Sequence, residues 1–329
     1  MYKFLMGLPE SLQRAVDETS AAGNARAIPG AVAKLTERYK CGDYAQAPLD
    51  SHDARVAYLQ VRMPATFAAN AHVFSKVAGQ MEIGSMLDIG AGPGTSMWAA
   101  SEFFPSVQRF TLIERDRELA ELGRSLAGYS SNEAVRGARW EHRDITDPIE
   151  FEPHDLVLLS YVIGELSSAA AEKVLRAAWL KTAKMLIVIE PGTPRNFARL
   201  AVARSLLIDV GGYPAAPCPH AAQCPMAAAG DWCHFSERLQ RTAEHRRAKG
   251  GALGYEDEKF SYFAVGKTAV EHAQARIVRH PMKHKGHVQM TLCTPDGIQR
   301  QIVSKSQKEV YREARDAEWG DSWGWCPKE

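Results

Sequence analysis

A glycine-rich turn at residues 88–95 constrains the fold of this chain more than any other feature. It reads Asp-Ile-Gly-Ala-Gly-Pro-Gly-Thr and separates a short apolar segment, 85–90, from a segment with helical spacing, 95–104. Glycine permits positive φ and lets a ligand approach the backbone closely. The start of a helix adds free amides and a positive dipole end. The pattern predicts a strand, a ligand-binding turn and a helix.

The segments that follow continue this alternation through residue 210. Short apolar strands separated by helices imply right-handed βαβ units and a doubly wound parallel sheet. We therefore predict an α/β fold with a Rossmann-like core at 81–212, after an N-terminal helical region at 1–80. The further predicted strands are 109–115, 154–162 and 184–190, and the helices between and after them are 116–126, 169–180 and 195–210.

Residues 213–329 are predicted to form a cysteine-rich, basic C-terminal extension. Segment 211–235 is rich in Gly, Ala, Pro and Cys and shows neither helical nor strand periodicity, which indicates a loop. Ser236 could cap a basic helix that runs to about Lys249. The predicted elements after it are strands at 260–265 and 275–278, a hairpin formed by 287–293 and 298–304, and a last helix at 306–319.

The spacing of the glycines distinguishes between nucleotide ligands. A nicotinamide fingerprint reads G-x-G-x-x-G, whereas here G-A-G-P-G follows an acid, Asp88, by two residues. This is the pattern of class I S-adenosylmethionine-dependent methyltransferases, and its short turn suits a methionine moiety better than a pyrophosphate. Asp88 would lie near the cationic amine and sulfonium of that ligand. The residues predicted to bind it at the turn are Asp88, Gly90, Ala91, Gly92, Gly94 and Thr95.

Polar residues at the ends of later strands extend the predicted cofactor site. Glu114 ends the second strand, where a carboxylate can accept hydrogen bonds from both ribose hydroxyls; Asp116 would replace it if the strand ended later. Asp144 occupies the position where such folds contact adenine. Ser160 and Tyr161 end the next strand, beside the expected site of methyl transfer.

The sequence does not identify a catalytic residue. Enzymes that methylate exocyclic base amines carry Asn/Asp-Pro-Pro-Tyr/Phe after the fourth strand, but here residues 160–166 read Ser-Tyr-Val-Ile-Gly-Glu-Leu. RNA cytosine-5 methyltransferases need a thiolate near the cofactor, and no cysteine lies between Cys41 and Cys218. The target atom therefore remains unassigned, and cofactor binding without catalysis is an open alternative.

Three of the six cysteines fall within 16 residues, as C-x5-C-x8-C. In a reducing compartment this clustering indicates metal binding rather than a disulfide. The spacing differs from the C-x2-C of a zinc ribbon, and Cys-Pro also occurs in ferredoxin cluster runs. Zinc and an iron–sulfur cluster both remain open, and His220 or His234 could complete a zinc site. The predicted thiolate ligands are Cys218, Cys224, Cys233 and, as the best fourth candidate, Cys293.

Charge is distributed unevenly along the chain. Residues 238–315 contain 16 Lys/Arg against 8 Asp/Glu, whereas residues 1–237 contain 23 against 27. This asymmetry indicates that the C-terminal third faces a polyanion, although a solvated basic face would show the same composition. No apolar run reaches the roughly 18–20 residues of a membrane span, and the first 18 residues lack signal-peptide and transit-peptide features. We therefore expect a bacterial-type cytoplasmic protein without a membrane partner.

Several motifs in residues 217–323 recur together in one known family. On these motifs the chain resembles the methyltransferase-like proteins associated with the mitochondrial small ribosomal subunit, and their bacterial relatives. The resemblance spans roughly residues 50–325 and is specific at the cysteine segment. The motifs are Cys218-Pro219-His220, Trp-Cys-His-Phe at 232–235, Tyr-Glu-Asp-Glu-Lys-Phe-Ser-Tyr at 255–262, Lys-Gly-His-Val at 285–288, Lys-Ser-Gln at 305–307 and Ala-Glu-Trp-Gly-Asp at 317–321.

The resemblance implies a four-iron–four-sulfur (4Fe–4S) cluster on the four cysteines named above, and binding to small-subunit ribosomal RNA during assembly. With such a partner, the basic C-terminal region supplies phosphate contacts. Two other functions also fit the sequence: an RNA or protein methyltransferase with structural zinc, and a metabolite methyltransferase without an RNA partner. The candidate RNA-binding residues are Arg246, Arg247, Lys249, Lys283, Lys285 and Lys305.

Overall fold

The computed structural model describes residues 7–21, 27–41, 49, 51–148, 150–241, 246, 253–270 and 273–324. It begins with three helices, α1 (Glu10–Ala21), α2 (Ile28–Cys41) and α3 (His52–Val77). Helix α3 continues through Pro64, although proline removes one backbone hydrogen bond. Most residues after Pro64 are buried, and the helix packs against the first helix of the core.

Five parallel strands form one part of the central sheet, and helices separate all of them along the chain except β3 and β4. The two neighbours of β1 in the sheet are β2 and β4, so β1, which precedes the glycine turn, lies in the middle of the parallel part. This arrangement confirms the predicted Rossmann-like α/β fold. Its elements are β1 (Ser85–Ile89), α4 (Thr95–Phe103), β2 (Arg109–Glu114), α5 (Arg117–Ala127), α6 (Glu133–Arg136), β3 (Arg139–His142), β4 (His154–Ser160), α7 (Ser168–Leu180), β5 (Thr182–Pro191) and α8 (Pro194–Asp209).

Three later strands complete the same sheet. The strand order is β3-β2-β1-β4-β5-β8-β6, and β8 is antiparallel to β5, which is the arrangement of class I methyltransferases. The sheet thus continues past residue 212, where the sequence pattern suggested that the core ends. The added elements are β6 (Tyr213–Ala216), the short helix α9 (Pro225–Ala228), β7 (Phe235–Gln240) and β8 (Tyr255–Gly266).

The predicted basic helix from Ser236 is wrong in its first part, because β7 occupies those residues and pairs antiparallel with β8. Phe235 and Leu239 are both buried, and a spacing of four residues puts side chains on one face of either a helix or a strand. Pairing with β8 makes this segment a strand rather than a helix. Across the strands, the Arg238 guanidinium donates to both carboxylate oxygens of Asp257 at 2.7 and 2.9 Å.

A second, smaller sheet forms the C-terminal part of the described chain. Its strands run in the order β10-β11-β9-β13, with β12 paired to β11 in the predicted hairpin. Val288, Leu292 and Trp323 lie in its own small core. No helix in the described ranges is long and apolar enough to cross a membrane. The elements are β9 (Ala275–Ile277), β10 (Met282–Lys283), β11 (His287–Thr294), β12 (Gly297–Ser304), α10 (Lys308–Asp316) and β13 (Ser322–Trp323).

Candidate functional site

The turn between β1 and α4 requires glycine at three positions. Gly90, Gly92 and Gly94 have φ values of 79°, 55° and 77°, in the left-handed region that L-residues rarely adopt. A Cβ on Gly90 would lie 2.7 Å from Val162 Cγ2, and one on Gly94 would lie 3.0 Å from the Trp140 ring. The neighbouring side chains therefore leave the turn as bare backbone, as the sequence predicted, with Ala91 and Thr95 within and directly after it.

Asp88 lies beneath this turn as a buried carboxylate without a partner. The residue is 1% exposed, and neither carboxylate oxygen has a hydrogen bond. Burial and, as a smaller cause, the nearby Glu114 carboxylate raise its pKa from 3.8 to about 7, while the Ser96 side chain acts in the opposite direction. A buried, unpartnered acid is costly unless a cation or a proton satisfies it. The cationic amine of S-adenosylmethionine has the charge that this environment lacks.

Glu114 ends β2 and closes the other side of the turn. Its two carboxylate oxygens accept hydrogen bonds from the amides of Gly92 and Asp116, both at 2.8 Å. Burial raises its pKa, and these two hydrogen bonds oppose that effect. Asp116, the alternative ribose ligand, instead caps α5, because its Oδ1 accepts from the Leu119 amide at 3.0 Å. The structure thus favours Glu114 as the acid that faces the turn.

The remaining predicted cofactor residues lie in the loops after β3 and β4. Asp144 Oδ1 accepts from the amide and the hydroxyl of Thr146 at 2.9 and 2.6 Å, and the hydroxyl bond is the largest cause of its lowered pKa. Ser160 Oγ is buried without a hydrogen-bond partner. Tyr161 has a φ of 61°, which strains a non-glycine residue.

Tyr161 is held in this conformation by two residues that the sequence analysis missed. Its hydroxyl donates to Glu258 Oε1 at 2.9 Å, and burial raises its pKa well above 10. The Arg62 guanidinium lies 5.5 Å from the centre of the Tyr161 ring and contacts both Glu258 oxygens at 3.4 Å. Arg62 belongs to α3 and Glu258 to β8, so no local pattern joins them.

Glu190, at the end of β5, is a further buried acid that the sequence analysis did not select. Its carboxylate accepts from the amides of Val162 and Gly164 at 3.0 and 3.2 Å, which fixes the loop after β4. Burial raises its pKa to about 8. The sequence contained a signal for this residue. Glu190 ends an apolar strand just before Pro191, and an acid is unusual in such a buried position.

The substitution Asp88→Asn is expected to flatten the pH dependence of stability of the ligand-free protein. A buried acid with a raised pKa binds more protons in the folded than in the unfolded state, so stability falls as pH rises from about 4 to about 7. Its contribution is at most about 4 kcal/mol. Urea unfolding at pH 5 and pH 8 measures the slope, with the exposed Asp17→Asn as control. Equal slopes in wild type and Asp88→Asn would contradict this assignment.

The four predicted thiolates line one cavity together with residues of α8. The cavity has a volume of about 40 Å³, more than the roughly 10–15 Å³ that one water needs. Burial raises the pKa of the Cys218 and Cys233 thiols, and that of Cys293 to about 12. All four cysteines are free, and Cys224 is half-buried at the start of α9.

The two histidines considered as zinc ligands differ in their positions. His220 Nε2 lies 3.7 Å from Cys293 Sγ. His234 stacks on Trp232, with ring centres 5.1 Å apart, and meets the edge of Trp319 at 4.9 Å. Among the described residues, no three His, Cys, Asp or Glu side chains are arranged to hold a single metal ion. The four thiols instead lie around the cavity and do not converge on one point.

The predicted RNA contacts fall on exposed positions where the structure describes them. Lys283, Lys285 and Lys305 are exposed and lie close together, since the Lys305 amide donates to the Gly286 carbonyl at 2.9 Å. We call these three lysines the hairpin lysines. Arg246 is also exposed, whereas Arg247 and Lys249 lie outside the described residues.

A sequence model of the family described as mitochondrial small ribosomal subunit Rsm22 matches residues 52–324. The chain is 27% identical over 289 residues to the human ribosome assembly protein METTL17, mitochondrial, covering 81% of this chain and 61% of that protein. It is 25% identical over 300 residues to the Rsm22-cox11 tandem protein 2, mitochondrial, of Schizosaccharomyces pombe, covering 72% and 38%. The chain thus spans less than two thirds of the length of these relatives.

Solved structures with a similar fold are more distant. Magnesium protoporphyrin IX methyltransferase from Synechocystis, with bound S-adenosylmethionine, is 9% identical and has a TM-score of 0.41, covering 79% of this chain and 98% of that one. The plantazolicin methyltransferase BpumL is 11% identical with a TM-score of 0.37, covering 78% and 99%.

The relatives overturn one expectation from the sequence. We expected a bacterial-type cytoplasmic protein, but the human and fission-yeast relatives are both mitochondrial. These relatives contradict the expectation of a cytoplasmic location, which is therefore wrong. The features of the first 18 residues, on which that expectation rested, do not outweigh a match across most of the chain.

Proposed function

Because the chain belongs to the Rsm22 family, whose model covers residues 52–324, we propose that it is an assembly factor that binds RNA of the small ribosomal subunit. In this proposal, S-adenosylmethionine binds at the glycine turn, and a 4Fe–4S cluster binds at the four cysteines. The RNA contacts come from the basic residues of the C-terminal region.

One observation carries the proposal: the central sheet and the small sheet both contribute cysteine-bearing segments to the cavity. Cys218, Cys224 and Cys233 lie in the segment between β6 and β7 of the central sheet, whereas Cys293 lies on β11 of the small sheet. A metal group bound by all four would fix the small sheet, and with it the hairpin lysines, to the core. Metal binding would thereby contribute folding free energy to the surface that meets RNA.

The turn fits S-adenosylmethionine by charge and by shape. Asp88 offers an unpartnered carboxylate, and the three glycines leave backbone that a ligand can approach. Glu114 would hold the ribose, for which it must exchange part of its hydrogen bonding to Gly92 and Asp116. Asp144 retains Oδ2 for the adenine amine, because both of its contacts to Thr146 use Oδ1.

Two features of the cavity support a cluster over one zinc ion. Zinc draws its thiolates to about 2.3 Å and needs them to converge on one point. In a cubane each thiolate binds a different iron atom, so the ligands surround a volume. The four cysteines line such a volume, and no three ligands among the described residues converge. Such a cluster would supply one-electron chemistry and cross-links between the ligand-bearing segments.

Transfer of the methyl group is not part of the proposal. The loop after β4 lacks the Asn/Asp-Pro-Pro-Tyr/Phe motif. Tyr161 lies at the position where a methyl acceptor would approach, and its hydroxyl donates a hydrogen bond to Glu258. An RNA or protein methyltransferase with structural zinc is the second candidate, favoured by the 3.7 Å contact between His220 Nε2 and Cys293 Sγ.

Metal analysis distinguishes these two candidates. Protein purified without oxygen is expected to be brown and to contain about four iron and four sulfide per chain. The reason is that four thiolates around one cavity match the ligand set of a cubane. Iron, acid-labile sulfide and zinc are measured on the same sample. A colourless protein with one zinc per chain would overturn the iron assignment. It would not affect the RNA-binding proposal, which is tested separately.

RNA binding is tested by the combined substitution Lys283→Gln, Lys285→Gln and Lys305→Gln. We expect weaker binding to transcribed small-subunit ribosomal RNA and a salt dependence reduced by about 2, since each phosphate contact contributes about 0.7–0.9 to the slope. Filter binding between 50 and 200 mM salt, roughly the range in which such effects are large, gives both quantities.

The matched control removes three positive charges elsewhere, by Lys34→Gln, Lys173→Gln and Arg195→Gln. These exposed residues lie on α2, α7 and α8. The control should retain the wild-type slope. Equal slopes for the two triple variants would show that the hairpin lysines do not contact RNA.

A further inference from the structure

Two buried arginines flank the thiol cavity. Arg204, on α8, and Arg276, on β9, are each 5% exposed, and both line the cavity together with the four cysteines. A guanidinium stays protonated in proteins, so each carries a full positive charge into this site. Burying a charge without an opposite charge is expensive.

Arg204 donates its hydrogen bonds to the cysteine-bearing segment. Among the described residues, it donates none to an acidic side chain. Its Nε donates to Cys218 Sγ at 3.3 Å, and its Nη2 donates to the carbonyls of His220 and Ala222, both at 2.8 Å. Its guanidinium also lies 5.7 Å from the centre of the Phe263 ring. All of these partners are neutral when the thiol is protonated.

Arg276 shows the same pattern from the small sheet. Its Nε donates to the Pro217 carbonyl at 2.8 Å, one residue before Cys218, and its Nη1 reaches the Gly320 carbonyl at 3.1 Å and Ser322 Oγ at 3.0 Å. Within the described ranges, neither arginine forms an ion pair with a carboxylate. Among the described residues around the cavity, the thiols are therefore the groups that can supply negative charge to both cations.

Neutral thiols would leave two buried cations uncompensated. A metal group ligated by four thiolates instead carries about two negative charges in its oxidised form and one more after reduction by one electron. A site with two thiolates and two histidines around zinc would be neutral and would leave both cations unbalanced. The number of buried cations thus matches a four-thiolate group.

We propose that Arg204 and Arg276 are the counter-ions of the metal group, and that they set its reduction potential. This inference rests on the proposed four-cysteine site. Both guanidiniums stabilise the more negative, reduced form more than the oxidised form, and the Arg204–Cys218 hydrogen bond acts in the same direction, since hydrogen bonds to ligand sulfur are among the determinants of cluster potential. Both arginines are positioning residues, because they act on the metal through its thiolates.

The experiment compares Arg204→Met, Arg276→Met, Arg204→Lys and Arg276→Lys in the full chain, reconstituted with iron and sulfide without oxygen. Dithionite supplies the electron, and the reduced cluster is followed by electron paramagnetic resonance at set potentials. We expect a more negative midpoint potential in both methionine variants and a smaller shift in the lysine variants, which keep the charge. The control is Arg238→Gln, an exposed arginine paired with Asp257, which should keep the wild-type potential.

A second measurement covers variants that assemble poorly. The rate of metal release to a chelator should rise at least about tenfold in the methionine variants, and the lysine variants should restore most of the retention. Unchanged potential and unchanged release in the methionine variants would overturn the proposal, as would lysine variants that behave like methionine variants. If the wild type holds zinc and no iron, the cluster assignment fails, but faster zinc release from the methionine variants would still support the counter-ion role.

Discussion

Replacing Gly92 by valine is expected to weaken S-adenosylmethionine binding by at least about 100-fold, equal to about 2.7 kcal/mol. Gly92 has a φ of 55°, which a β-branched residue adopts only under strain of about 1–3 kcal/mol. The added Cβ would meet nothing closer than the Tyr58 hydroxyl at 3.6 Å. The Cβ position itself is therefore open, so backbone strain is the first effect, and movement of the turn to relieve it is expected to break the Gly92–Glu114 hydrogen bond.

Calorimetric titration with S-adenosylmethionine measures the effect, with Gly79→Val as the matched control. Gly79 has a φ of 83° and open space around its Cα, so the same substitution imposes comparable backbone strain away from the turn. Both variants should lose similar stability, but only Gly92→Val should lose the ligand. Undiminished binding by Gly92→Val would refute the assignment of the turn.

The substitution Cys224→Ser is expected to release the metal group and to destabilise the C-terminal region, by on the order of 3 kcal/mol or more. Cys224 is half-buried and bonds to no other cysteine, so serine fits its place in the apoprotein. The loss therefore comes from the missing thiolate ligand rather than from packing. Metal content and thermal unfolding of the same preparation give the two readouts.

The control for this prediction is the metal-free chain. After chelation, wild type and Cys224→Ser should unfold at nearly the same temperature, because the ligand no longer has a metal to bind. Cys41→Ser, outside the predicted ligand set, should retain both metal and stability. Unchanged metal content and melting in Cys224→Ser would exclude a structural metal at this cavity.

The parts of the fold that were predictable depend on residues close together in the chain. The positive φ of Gly90, Gly92 and Gly94 and the alternation of strands with helices are local properties, and the structure reproduces them. The β11–β12 hairpin follows from its turn residues in the same way. The first part of the predicted basic helix is wrong, because the spacing of Phe235 and Leu239 suits a helix and a strand equally.

The sequence alone predicted the Rossmann-like core, the glycine turn and the cluster of three cysteines, because each depends on residues close together in the chain. Only the tertiary structure decided that Cys293 lines one cavity with the other three thiols, Arg204 and Arg276. It also decided that Tyr161 is hydrogen-bonded to Glu258. These contacts join different helices, strands and sheets. They arise when strand pairing and burial bring distant segments together, and no local pattern records which buried charges will then face one another.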